Sequence, residues 1–134
     1  MLSKKAQYAL KALGYLATKT HDGPILITTI AKEKHIPLKF LENILLELKK
    51  ADILGSKKGK GGGYFLQQDP AKISIAKVIR IIDGPIALLP CVSLYFYERC
   101  KDCNETVCNL NRVLIQARDA ILGVLENKML QDIM

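Results

Sequence analysis

The chain has 134 residues, 49% of them hydrophobic, enough for one compact domain whose core stands without disulfides. No apolar run approaches the roughly 18–20 residues that cross a bilayer, which predicts a soluble protein with no membrane partner. The net charge is +7 and the excess lies early: residues 1–60 hold twelve Lys against five Asp or Glu, while residues 61–134 hold eight of each sign, the pattern of a polyanion binder.

The first 21 residues hold four lysines and no acid, as a targeting segment would, but they lack Arg and Lys11 interrupts any apolar stretch. The cytoplasm is therefore the expected location. A helix is predicted over Lys4 to Thr18, with Ala6, Ala9, Leu10, Leu13, Leu16 and Ala17 on one face. His21-Asp22-Gly23-Pro24 ends it. A short helix, Ile30 to Lys34, follows, with Thr28 or Thr29 as its N-cap. His35-Ile36-Pro37 then turns the chain into a helix from Leu38 to Ala51, whose apolar positions Leu41, Ile44, Leu45 and Leu48 follow the i, i+3, i+4, i+7 rule. Lys39, Phe40, Glu42, Asn43, Glu47 and Lys50 are left off that stripe.

Short helix, tight turn and longer helix form a helix-turn-helix pattern that many helical hairpins share. The next segment narrows it. Ile53-Leu54 and Tyr64-Phe65-Leu66 read as short strands around the loop Ser56-Lys57-Lys58-Gly59-Lys60-Gly61-Gly62-Gly63. A helix-turn-helix followed at once by a hairpin with a cationic tip is a winged helix. Lys57, Lys58 and Lys60 can contact phosphates and release counterions, while Gly61 and Gly62 let the backbone come close to the sugar-phosphate chain. A nucleotide phosphate loop is excluded, because the run lacks a Gly-Lys-Ser/Thr ending and leads into a strand.

On this reading Asn43 reads adenine, Phe40 touches a thymine methyl group, and Lys39 lies beside them on the outer face of the recognition helix. Thr29 donates to a phosphate at its helix N-terminus. The competing placement of Phe40 is against the first helix.

After Asp69-Pro70, Ser74 caps a helix with Ile75, Val78, Ile79 and Ile82 inward, closed by Asp83-Gly84-Pro85. Residues 86–109 read as irregular. A last helix is predicted from Leu110 to Asn127, with Leu110, Leu114, Ala117, Ile121 and Val124 as a coiled-coil-like seam that Val113 and Leu125 widen. Such a seam folds back on the domain or pairs with a second copy, and a homodimer is expected because helix-turn-helix proteins use two half-sites.

Four cysteines, Cys91, Cys100, Cys103 and Cys108, fall in the irregular stretch with eight, two and four residues between them. With no secretion signal, clustered thiols point to a metal or cluster site or to redox sensing. Four thiolates could hold a [2Fe-2S] cluster unaided if Cys100 supplies the fourth position. Zinc is open too. So is a metal-free switch, in which Arg99 and Lys101 activate Cys100. The chain shows no nucleophile motif, no paired-His metal motif and only two His, so no enzyme is expected. A small redox or metal protein docking an acidic partner through its basic half is the competing class, but docking does not call for three glycines beside three lysines.

These residues resemble the Rrf-type winged-helix transcription regulators over nearly the whole chain. The likeness runs from Tyr8-Ala9-Leu10-Lys11-Ala12-Leu13 and Tyr15-Leu16-Ala17 through Ile30-Ala31 and Phe40-Leu41-Glu42 to the wing, Ser56 to Leu66, its most specific element. It continues in Ile73-Ser74-Ile75-Ala76-Lys77-Val78-Ile79-Arg80, Asp83-Gly84-Pro85, Arg118-Asp119-Ala120-Ile121 and Met129-Leu130-Gln131-Asp132-Ile133. The resemblance implies a mainly α fold with a β-hairpin wing, a winged helix-turn-helix at 1–85, a cysteine loop at 86–109, and a dimerisation helix and tail at 110–134. It also implies a homodimer on palindromic double-stranded DNA, recognition helix in the major groove and wing in the minor. A [2Fe-2S] cluster is implied at Cys91, Cys103 and Cys108, with Cys100 as an additional thiol. The chain departs from the family in having four residues, not five, between Cys103 and Cys108. It also has Asn111 and Gln7 where branches of the family place a His or Asp ligand.

Overall fold

A computed structural model describes residues 2–101 and 104–134. Its elements are α1 (Lys4–Ala17), α2 (Ile27–Lys34), α3 (Leu38–Lys50), β1 (Leu54–Lys57), β2 (Gly63–Leu66), α4 (Ile75–Asp83) and α5 (Asn109–Leu125), with short 3₁₀ turns at Pro70–Lys72, Pro90–Val92 and Leu130–Ile133. This is the mainly α, winged helix-turn-helix architecture with a long C-terminal helix that the sequence predicts.

Helix α1 starts where Ser3 accepts a hydrogen bond from the Ala6 amide at 3.0 Å. Its apolar face buries Ala6, Ala9, Ala12, Leu13 and Leu16. Against it sits the α3 stripe, Leu41, Ile44, Leu45 and Leu48, each 0% exposed. Burying one such side chain contributes roughly 1.5–3 kcal/mol, so this stripe fixes the rotation of α3 and leaves its other face outward. Between α2 and α3 the chain reverses at His35, which takes the left-handed conformation at φ 54°, and Ile36 donates back to the Ala31 carbonyl at 2.9 Å.

Helix α2 begins earlier than its sequence suggests. The Ile25 amide and carbonyl bond Tyr64 at 2.8 Å each, which pins the chain beside β2 by an isolated bridge. The helix therefore starts at once, at Ile27, with Leu26 as a cap that offers no side-chain acceptor. Thr28 and Thr29 lie inside the first turn and neither is the N-cap.

Strands β1 and β2 pair antiparallel, Leu54 opposite Leu66 and Lys57 opposite Gly63. Ser74 caps α4, accepting from the Lys77 amide at 3.1 Å. The chain's end then returns to the domain: Leu130 donates to Ile73 and Ile75 donates to Lys128, both at 2.9 Å, and Leu130 is 0% exposed in the main core.

Helix α5 divides into two faces. Leu122 is buried and Leu125 is half-buried against the core. Leu110, Val113, Ile121 and Val124 are all exposed. Leu125 thus turns inward instead of widening the seam, and the sequence reading missed Leu122. The cause is that α5 turns its 111, 115, 118, 122 and 125 positions inward, toward the Pro90–Val92 turn and α4, one register away from the more conspicuous apolar stripe.

Candidate nucleic-acid interface

The outward face of α3 carries Lys39, Phe40 and Asn43, all exposed, as the sequence pattern places them. Phe40 does two things at once. Its ring meets Tyr8 of α1 edge-on, with centroids 5.5 Å apart at 82°, yet 40% of the residue stays exposed. Packing on the first helix therefore positions Phe40 without removing it from the surface.

Three residues of this face escaped the sequence reading. Leu46 is 46% exposed beside Asn43 and Lys50, an apolar group on the polar side of the helix. Its place off the buried stripe was the available signal. Lys5 of α1 forms an ion pair and hydrogen bond with Glu47, and Lys4 lies 5.3 Å from the Tyr8 ring centroid. The N-terminal turn of α1 thus adds cations beside α3, and no periodicity reports a contact between positions so far apart in the chain.

Thr29 is half-buried in the first turn of α2 and its amide donates to the Leu26 carbonyl at 3.0 Å, so a phosphate contact there falls to its side-chain hydroxyl. Thr28, one position earlier, is exposed.

Lys57, Lys58 and Lys60 are exposed on the wing. The glycines beside them serve the hairpin itself. A Cβ on Gly62 would meet the Lys57 carbonyl at 2.3 Å, and one on Gly63, whose φ is 142°, would meet the Ile25 carbonyl at 2.2 Å. Gly62 is buried while Gly61 is exposed, so of the two wing glycines only Gly61 presents its backbone to the surroundings.

The cysteine loop lies apart from these elements, between α4 and α5. Cys108 caps α5, its sulphur accepting from the Asn111 amide at 3.4 Å, and the Asn111 side-chain Nδ2 donates to the Cys91 sulphur at 3.6 Å. Asn111 is 8% exposed, so a buried carboxamide ties these two half-buried thiols together. Asn111 is therefore a donor to sulphur, not a replacement for a histidine ligand. Arg118 Nη1 donates to the Val92 carbonyl at 2.7 Å and holds the loop against α5.

Glu105 closes the other side of the loop. It accepts from the Tyr97 hydroxyl at 2.6 Å and from the Cys100 amide at 2.9 Å. The hydrogen bond to Glu105 pushes the Tyr97 phenol above its ordinary value, and the donations from Tyr97 and then Cys100 hold the Glu105 carboxyl below the usual carboxylate range. Cys103 lies outside the described residues. Among the described residues no group of three His, Cys, Asp or Glu is placed to hold a metal ion. The chemistry of Cys91 and Cys108 nonetheless suits an iron–sulfur centre: they are soft donors, half-buried, with N–H groups directed at both sulphurs.

A groove of about 550 Å³ runs between the start of α1, the end of α4 and α5, lined mainly by Leu2, Ile79, Ile86, Leu88, Ile121 and Leu125. No helix among the described residues is long and apolar enough to cross a membrane.

Comparison with known proteins agrees with this geometry. A family model described as Rrf2, iron-dependent transcriptional regulator, matches residues 2–134. A putative HTH-type transcriptional regulator, rrf2-like, from Rhodobacter capsulatus is 40% identical over 138 residues, covering 100% of this chain and 92% of its own. Among solved structures, CymR, the global cysteine regulator of Bacillus subtilis, superposes with a TM-score of 0.81 at 29% identity, covering 98% of this chain and 94% of that one. IscR from T. potens gives a TM-score of 0.77 at 26% identity, covering 98% and 84%.

Proposed function

Because the chain belongs to the Rrf2 family and is a DNA-binding transcription regulator, not an enzyme, we propose that it acts in the cytoplasm as a homodimer on a palindromic operator and that its cysteine loop sets its affinity for that operator. The observation that carries this reading is the α3 face. The buried stripe Leu41, Ile44, Leu45 and Leu48 locks the helix, so that Lys39, Phe40 and Asn43 are presented together beside a lysine-tipped hairpin. Asn43 pairs with an adenine edge, Phe40 packs on a thymine methyl group, and Lys39 steadies the helix on the backbone. Lys57, Lys58 and Lys60 neutralise phosphates around the minor groove, with Gly61 at the tip of closest approach and the buried Gly62 closing the hairpin behind it. Two copies give two such helices, and their spacing is what the operator's symmetry reads.

For the signal, Cys91, Cys103 and Cys108 would hold a [2Fe-2S] cluster, with Cys100 as the fourth thiol. A bound cluster would supply a centre that responds to redox state, iron–sulfur supply or nitric oxide. The chain's own part is to position and tune: Asn111 donates to Cys91 and Cys108, Arg118 anchors Val92, and Glu105 ties Cys100 to Tyr97. Because the loop leads into α5 at Cys108, a change in the loop moves that helix. DNA affinity then shifts by as much as the two loop states differ in the α5 position they favour.

A metal-free thiol switch is the second reading. It is favoured by the positions of Arg99 and Lys101 beside Cys100. Protein purified without oxygen separates the two. Visible charge-transfer bands with near-stoichiometric iron and sulfide are expected for the cluster. A colourless, iron-free protein that still binds duplex overturns the cluster and leaves the thiols. Failure to bind any duplex at low salt would instead support a protein that docks an acidic partner.

A further inference from the structure

The first part of the cysteine loop, residues 90–98, folds back on itself. The Glu98 amide donates to the Pro90 carbonyl at 3.2 Å and the Phe96 amide to the Ser93 hydroxyl at 3.0 Å, while Val92 and Ser93 are buried between them. Cys91 and Tyr95 therefore move as parts of one unit. Helix α5 holds this unit by its Cys91 end, where Arg118 donates to the Val92 carbonyl at 2.7 Å and Asn111 to the Cys91 sulphur at 3.6 Å. At its far end the Tyr95 ring stacks on the guanidinium of Arg80, whose Cζ lies 4.5 Å from the ring centroid.

Arg80 belongs to α4, and α4 belongs to the DNA-binding domain, because its Ile75, Val78 and Ile79 share the main core with the α3 stripe. The Arg80 side chain serves two partners. Its Nη2 donates to Oε1 of Glu126, the C-cap of α5, at 2.7 Å, and its face meets Tyr95. A planar guanidinium can meet a carboxylate along its edge and a ring on its face at once. Among the described residues, the other polar and ring contacts of residues 90–98 run to α5 or stay within the cysteine loop. Resting on the reading that this loop sets DNA affinity, we infer that Arg80 is the positioning residue that carries the loop's state into the DNA-binding domain through the Tyr95 ring.

The route is short and does not pass along α5. A change at Cys91 displaces the folded unit, and the Tyr95 ring leaves or tightens on Arg80. Without the ring, the guanidinium is held by Glu126 alone, and α4 loses its one side-chain tie to the unit that carries Cys91. A cation–π contact at a partly exposed site biases an equilibrium about two- to fivefold, which sets the size of the change in DNA affinity that this contact can transmit.

All four cysteines lie in the loop, so N-ethylmaleimide changes the loop's state whether its thiols are free or hold a cluster. Full-length protein purified without oxygen is titrated, before and after this capping, against one labelled duplex recovered by selection from random sequence. Tyr95 is 66% exposed, so its replacement leaves the core intact. The wild-type chain is expected to change affinity about threefold or more on capping, and Arg80→Gln and Tyr95→Leu to hold that change below about 1.5-fold. Tyr95→Phe keeps the ring and is expected to respond as the wild type does. Glu126→Ala removes the ion pair but not the ring contact, so it should lower stability and keep the response. Arg80→Gln and Tyr95→Leu variants that respond fully overturn the coupling through Arg80. A Glu126→Ala variant that loses the response overturns it too, because the route then runs through the end of α5. A wild-type chain indifferent to capping overturns the loop reading itself, and this coupling with it.

Discussion

Gly63 shows how one residue can serve the fold inside a motif that looks devoted to DNA. The run Gly61-Gly62-Gly63 beside three lysines is legible in the sequence as a hairpin tip, but the demand on Gly63 is not, because the backbone it must clear belongs to Ile25, far away in the chain. Gly63→Ala forces a Cβ to within 2.2 Å of a backbone carbonyl at a φ of 142°. It is expected to cost about 1–3 kcal/mol in chemical denaturation, and a loss under about 0.5 kcal/mol would remove the strand-packing role. The lysines act differently, since their charge is useful only to a partner. Lys58→Ala and Lys60→Ala should leave stability unchanged while weakening binding to all duplexes, each lowering the slope of log affinity against log salt by about one unit. An unchanged slope in titrations across salt concentrations would refute the wing contacts. Asn111 was legible only as a departure from a ligand position, and its service as a donor to two sulphurs needed the loop's three-dimensional path.

At the scale of elements, α3 was the most legible, because its four buried positions follow one clean stripe and its bounds lie within a residue of expectation. The polar face follows by subtraction, which is why Lys39, Phe40 and Asn43 were found and Leu46, an apolar residue on the wrong side, was not. Asn43→Ala should lower discrimination between the preferred operator and unrelated duplex by roughly 1–3 kcal/mol, about 5- to 150-fold, with little change in non-specific affinity. Competition binding measures both, and an equal loss on the two DNAs would reduce Asn43 to a backbone contact. Helix α5 was only half legible. Two apolar stripes overlap on it, and periodicity identifies the more regular one without saying which stripe the chain itself covers. Helix α2 was misread at its start because the bridge between Ile25 and Tyr64 fixes the chain before local capping chemistry can act.

For the whole molecule, the wing domain and the long helix are joined by more than a linker. The segment after α5 returns through Lys128 and Leu130 to Ile73 and Ile75, so movement of α5 pulls on the domain that holds α3. Leu130→Ala should therefore cost about 2–5 kcal/mol of stability, as a cavity in the main core does, and unfold the wing domain along with the tail. A wing domain that keeps its melting temperature in this variant would show that the tail is a separate appendage. This return of the chain was not legible, because a four-residue segment with two apolar positions, Leu130 and Ile133, carries no period. The composition had nonetheless indicated the division of labour, with charge gathered in the first sixty residues and thiols in the loop before the last helix.

If two copies present two α3 helices to symmetric DNA, selection from a pool of random duplexes at moderate salt, followed by sequencing of what is retained, reads that symmetry directly. Enrichment of an inverted repeat with half-site centres about 10 base pairs apart, or a multiple of that, is expected. Enrichment of sequences with no twofold symmetry, or no enrichment at all, would contradict it.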